Sequence, residues 1–125
     1  KELTGGKGVD VVYDPVGGDF SEQAFRAIAW DGRFLVIGFA SGPIPKIPLN
    51  LCLLKGASLV GVFWGAWVAR NPMESRKNFD ELIEMIDGGQ FSPLVTEVYP
   101  LSDYKAAFAS ITERRAKGKV ILSNS

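Results

Sequence analysis

Three short stretches of the chain combine the residue types that can hold a flat ligand. They are Pro15-Val16-Gly17-Gly18, Ile37-Gly38-Phe39-Ala40-Ser41-Gly42 and Val62-Phe63-Trp64-Gly65. Each closes a β-prone apolar run, and each sets glycine beside apolar side chains. Glycine lets something flat approach the backbone, whose N–H groups are donors. Ile37, Phe39, Phe63 and Trp64 add apolar surface. The combination suits a planar ring with a polar rim. Glycines also follow strands because turns need them, so one such stretch alone carries little; three in succession carry more.

The rest of the chain narrows the chemistry. It has no histidine and one cysteine, Cys52. The commonest metal ligand and the commonest neutral-pH acid/base are therefore missing, and a structural zinc site is not expected. No disulfide can form within the chain, which favours a reducing, cytoplasmic setting. Cys52 lies in Leu51-Cys52-Leu53-Leu54 and reads as a buried thiol. Asp14 and Asp19 flank a turn and read as caps rather than as paired catalytic acids. Gly5-Gly6-Lys7-Gly8 precedes a strand instead of following one, so it fails the structural condition of a phosphate-binding G-x-G-x-x-G turn. Arg114, Arg115 and Lys117 end a helical pattern, where they complement the helix dipole or meet an anion. Fourteen basic and fourteen acidic residues cancel, which gives no electrostatic reason to expect nucleic acid or an anionic membrane as partner. No apolar run is long enough to span a bilayer.

The elements that would position these stretches follow from pattern. Residues 34–37 form an apolar run between glycines, with no polar alternation. Burial on both faces suits a central strand of a parallel sheet covered by helices. Val9 to Asp14 is a second β-prone run. Between them, Asp19 and Glu22 have capping-box spacing, and Phe20, Ala24 and Ile28 recur every four residues, which predicts a helix to about Ala29. The result is a βαβ unit. Pro43-Ile44-Pro45-Lys46-Ile47-Pro48 forbids helix and reads as a stiff extended crossover. Asn50 caps a short helix, and residues 57–64 form a third apolar strand. Beyond it, Asn71 and Pro72 open a helix with Phe79, Leu82, Ile83 and Ile86 on one face. Gly88-Gly89 stops it. Residues 94–101 read as a strand. Ser102 caps a last helix with Ala106, Ala107, Phe108 and Ile111 on its apolar face, and Gly118 precedes a final strand.

The succession Gly8-Val9-Asp10-Val11-Val12-Tyr13-Asp14-Pro15-Val16-Gly17-Gly18, Gly32-Arg33-Phe34-Leu35-Val36-Ile37-Gly38-Phe39, Gly61-Val62-Phe63-Trp64-Gly65 and Gly118-Lys119-Val120-Ile121-Leu122 resembles the C-terminal part of medium-chain dehydrogenases/reductases. The likeness is to the zinc-independent NADPH:quinone oxidoreductase branch, and it covers essentially the whole chain. It implies an α/β fold: the second half of a doubly wound Rossmann sheet, with residues 9–14, 34–39 and 59–64 as its fourth to sixth strands. Residues 1–65 would belong to the cofactor-binding domain, and residues 66–125 would return to a GroES-like catalytic domain. Neither that domain nor the opening glycine-rich loop lies in these 125 residues, so a C-terminal fragment is expected.

The resemblance also implies site residues. Val16 and Gly17 would run along the cofactor. Ile37, Gly38 and Phe39, with Val62, Phe63 and Trp64, would line the nicotinamide side. Lys119, with Arg114 as competitor, would reach phosphate or ribose. The implied cofactor is NADPH, the implied acceptor a quinone or electron-poor enone, and the implied assembly a homodimer through the sixth-strand edge. An enoyl reductase or alcohol dehydrogenase of the same superfamily, or a non-catalytic α/β dimerisation module, would share these features.

Overall fold

The computed structural model describes residues 1–124, which form two compact units divided between Pro72 and Met73. In the first, strand β1 (Val9–Asp14), helix α1 (Phe20–Ala27) and strand β2 (Ile28–Val36) make the expected βαβ unit. Helix α2 (Asn50–Lys55), strand β3 (Ser58–Gly61) and helix α3 (Trp64–Arg70) follow. The sheet order is β1-β2-β3 and both pairings are parallel.

The register puts Val12, Phe34 and Leu59 in one row and Asp14, Val36 and Gly61 in the row at the tips. Partnered residues of a parallel ladder share a face, and alternation sends the next row to the other side. Phe34 therefore points toward the helices. It packs against Phe25 of α1, with ring centroids 5.6 Å apart, and it joins Ile28 and Leu51 in the buried cluster. Burying each large apolar side chain is worth about 1.5–3 kcal/mol. The opposite face carries Val11, Tyr13 and Val60, which stay exposed, and Leu35, which is half-buried. The expectation of two covered faces is thus met on one face of this unit.

Several local expectations give way to stronger competitors. Asp19 occupies the α1 N-cap with helical dihedrals and makes no side-chain cap bond. Its would-be partner Glu22 binds Arg26 one turn on, at 2.6 Å. The helix stops at Ala27, and Ile28 already belongs to β2. The strand then makes an excursion, with Asp31 at φ 59°, before pairing resumes at Val11 and Arg33. The long third strand is cut to four residues. Val62 still donates to the Val36 carbonyl at 2.9 Å, but β2 offers no ladder beyond that point, and Trp64 starts α3. Asn50 lies inside α2, and Leu49 takes the cap position. Asn71 caps backward: its amide donates to the Trp67 carbonyl at 2.9 Å.

Helix α4 (Pro72–Asp87) starts at the boundary between the units, and the second unit continues with strand β4 (Val95–Pro100), helix α5 (Tyr104–Thr112) and strand β5 (Lys119–Ser123). The two strands pair in parallel, so this unit too holds a βαβ arrangement. Ser102 lies in a short 3-10 turn, Leu101–Asp103, ahead of α5. The buried residues of α5 are Ala107 and Ser110, while Phe108 and Ile111 are exposed. Phe79, Leu82, Ile83 and Ile86 of α4 are exposed as well.

Candidate functional site

The three strand tips meet. Asp14, Val36 and Gly61 stand side by side, and the loops leaving them are laced by backbone hydrogen bonds. Ile37 donates to the Asp14 carbonyl at 3.0 Å, Ala40 to the Pro15 carbonyl at 3.1 Å and Ser41 to the Val16 carbonyl at 2.9 Å. Gly18 donates to the Pro43 carbonyl at 3.1 Å. Parallel sheets collect loops at this edge, and ligands of open α/β folds bind there.

Asp14 orders the first loop. Its Oδ1 accepts the N–H groups of Val16 and Gly17, both at 2.9 Å, and its Oδ2 accepts the Ser21 hydroxyl at 2.6 Å. The cap reading of Asp14 therefore holds, as a side chain fixing its own turn. Partial burial pushes this carboxyl up; the bonds from Ser21, Gly17 and Val16 outweigh it and leave the group below its ordinary value. A carboxyl lowered in the fold stabilises it above the unfolded chain's value and loses that contribution as pH falls through the folded value. Ser21→Ala should therefore lower unfolding stability by about 2 kcal/mol at pH 7, the range of a hydrogen bond to a charged group. The deficit should shrink below the ordinary value of 3.8. Urea titrations at pH 7 and pH 3 check this; an equal deficit at both refutes the assignment.

A cleft of about 480 Å³ opens where β2 and β3 end, lined by Val36, Ile37, Gly38, Phe39, Gly61, Val62 and Phe63. Five of the ten residues singled out in the sequence lie together in it. Gly17 adjoins it from the first loop: a Cβ there would stand 2.8 Å from Cδ1 of Phe39 and 3.2 Å from its Cα. Val16 holds the second loop through its carbonyl. Trp64 is exposed at the start of α3 and does not line the cleft. Arg114 and Lys119 belong to the second unit. Arg114 takes φ 58° just after α5, and Lys119 opens β5, its N–H donating to the Leu94 carbonyl at 2.7 Å.

Sequence reading missed one polar cluster in the second unit. Glu97 of β4 accepts the Tyr99 hydroxyl at 2.6 Å and the Ser110 hydroxyl at 2.8 Å. The Tyr99 bond first, then that of Ser110, holds the Glu97 carboxyl below its ordinary value, and the Tyr99 hydroxyl is raised by the same bond. Glu97 and Tyr99 sit two apart, on one face of the strand. That spacing was the available signal.

The family described as zinc-binding dehydrogenase matches residues 1–122 of this chain. The chain belongs to that family, within the medium-chain dehydrogenases/reductases. It is 39% identical over 124 residues to a quinone oxidoreductase-like protein 2 homolog of Nematostella vectensis, covering 98% of this chain and 34% of that protein. Among solved structures it resembles a Pseudomonas syringae quinone oxidoreductase, at TM-score 0.79 and 31% identity, covering 97% of this chain and 37% of that one. A mycobacterial protein solved in complex with NADPH gives TM-score 0.81 at 27% identity, covering 97% and 37%. This dehydrogenase-family chain thus spans about a third of the length of the curated relatives it matches. Its sheet is the parallel, Rossmann-like part of the fold.

The family's description carries a metal. Among the described residues no three His, Cys, Asp or Glu side chains are grouped to hold one, so the residues present do not fit a zinc ion. No helix of the described residues is long and apolar enough to cross a membrane.

Proposed function

We propose that the cleft at the strand tips receives the nicotinamide ring of NADPH, and that the intact protein reduces a quinone or an electron-poor enone. The observation that carries this reading is the open shelf itself. A side chain on Gly61 would meet nothing within 4 Å, and one on Gly38 would meet only the Pro15 carbonyl at 3.4 Å. A flat ring can therefore lie directly on backbone at both tips. Likeness to quinone oxidoreductases and to a protein solved with NADPH supports the cofactor and the acceptor class.

When bound, the nicotinamide supplies the hydride; the protein supplies position and a dry wall. Ile37, Phe39, Val62 and Phe63 form that wall, and Val16 and Gly17 run along the cofactor. Hydride reduction of a quinone needs a proton to finish, and none of the seven residues lining the cleft carries one to give. The proton comes from water or from a group outside these residues. In this reading residues 1–65 are the cofactor-binding part, and residues 66–125 lead back to the catalytic domain. The outer edge of β3, which pairs only with β2 among the described residues, joins its copy in a homodimer.

The test is a titration of the purified, methyl-labelled chain with NADPH. Methyl signals of Ile37 and Val62 should shift saturably, whereas adenosine 2′,5′-bisphosphate, which lacks the nicotinamide, should leave them in place. The chain alone should oxidise no NADPH in the presence of a benzoquinone. Unmoved shelf methyls would remove the cofactor reading, and steady turnover by the chain alone would remove the division of labour.

A further inference from the structure

A second cleft lies on the helix-covered side of the sheet, beneath the proline-rich crossover. Its volume is about 190 Å³, and it is lined by Asp14, Phe34, Val36, Phe39, Ile44, Pro45, Ile47 and Leu59. Register explains why these residues meet. Asp14 pairs with Val36 and Phe34 pairs with Leu59, so all four point to one face. The stiff segment from Pro43 to Pro48 then passes over them and cannot coil down to fill the gap. Seven of the eight lining residues are apolar. The eighth, Asp14, has both carboxylate oxygens engaged by Val16, Gly17 and Ser21, which takes three of a carboxylate's roughly four acceptor positions for its own turn.

We propose that this cleft is a binding site for a small uncharged hydrocarbon group, a ring or branched chain of about seven carbons. Size and lining set the class: an enclosed apolar protein cavity of about 150 Å³ takes up benzene, and this cleft, open on one side, offers about 190 Å³ against a mostly apolar wall. Charge decides against the alternatives. A carboxylate or phosphate would lose its hydration and find no cation, because the lining includes none. The site is distinct from the nicotinamide shelf but shares Val36 and Phe39 with it. Phe39 is thus the common wall, and its inner edge is set by the side-chain-free Gly17. The inference does not depend on the cofactor reading.

Toluene titrated into the methyl-labelled chain should shift the methyls of Ile44, Ile47 and Leu59 saturably, and benzoate should not. Ile44→Trp, at an exposed position on the rim, should fill the mouth and weaken toluene at least about tenfold, equivalent to about 1.4 kcal/mol. Leu59→Phe, on an edge strand, serves as a second plug if the first variant does not fold. Toluene that moves no methyl of the cleft at its solubility limit overturns the site. So does equal binding of toluene by a folded plugged variant, or equal binding of benzoate by the parent. NADPH added to the same sample reports on the shelf separately through Ile37 and Val62, so either proposal can fail alone.

Discussion

Phe34→Ala is expected to leave the first unit without a cooperative unfolding transition at room temperature. Of the six buried apolar residues among the described ones, five lie in the first unit, and Phe34, at 1% exposure, packs on Phe25 of α1 and shares its cluster with Leu51 of α2. Truncating a buried Phe costs about 3–5 kcal/mol, because the lost transfer energy and the cavity add. Whole domains hold about 5–15 kcal/mol, and a unit as short as Lys1–Pro72 belongs at the low end, since small domains bury a smaller share of their surface. One substitution therefore consumes most of the margin. Leu3→Ala removes a side chain of similar polarity that is fully exposed and should change stability by no more than about 0.5 kcal/mol. Urea unfolding followed by far-UV circular dichroism compares the two. A sigmoidal Phe34→Ala curve with the parent midpoint would show that the cluster around Phe34 is not what holds this unit.

What the sequence made legible follows the same logic of burial. Val9–Asp14 was read with its true bounds, because β-branched density and a following proline both mark its limits. The parallel order of three strands was legible because a helix separates the first two and a long crossover separates the next two. The tip cleft was legible because five of its seven lining residues came from strand endings marked by glycine. Failures cluster where a local signal met a tertiary competitor. Glu22 had capping spacing but found Arg26. Residues 62–64 had strand composition but no neighbouring strand to pair with. On α5, counting apolar positions put Phe108 and Ile111 inside, whereas Ser110 is the residue that is buried, drawn in by Glu97. A hydrophobicity pattern cannot see a hydroxyl whose partner lies thirteen residues earlier.

That last failure exposes a device used twice. In each unit the leading strand of a βαβ arrangement carries a carboxylate, and the crossover helix answers with a serine. Asp14 takes Ser21, and Glu97 takes Ser110. Both serines are almost wholly buried. A buried hydroxyl needs a partner, so each pair fixes how its helix sits on its strand, where apolar contacts alone would allow sliding. In the first unit this fixes α1 relative to Asp14, and through Val16 and Gly17 it fixes the loop that borders the shelf.

The strongest backbone test concerns the entrance to the sheet rather than its exit. Gly8 is buried immediately before β1, at φ 92°. A Cβ there would run into the Ala27 carbonyl oxygen and would lie 2.9 Å from both the Ala29 nitrogen and the Ile28 carbonyl carbon. All three are backbone atoms at the junction where α1 hands over to β2, so none can swing aside as a side chain would. Gly8→Ala should cost about 3–5 kcal/mol, a loss large enough to need a named mechanism, here left-handed strain of about 1–2 kcal/mol plus displacement of a paired strand. Gly42 separates the two terms. It has φ 100° but nothing within 4 Å of its missing Cβ, so Gly42→Ala carries the strain alone and should cost about 1–2 kcal/mol. Urea midpoints of the two variants measure the difference. Near-equal losses would mean that the α1–β2 junction yields to a methyl group, and that the close passage of Gly8 against Ile28 does not set where β2 begins.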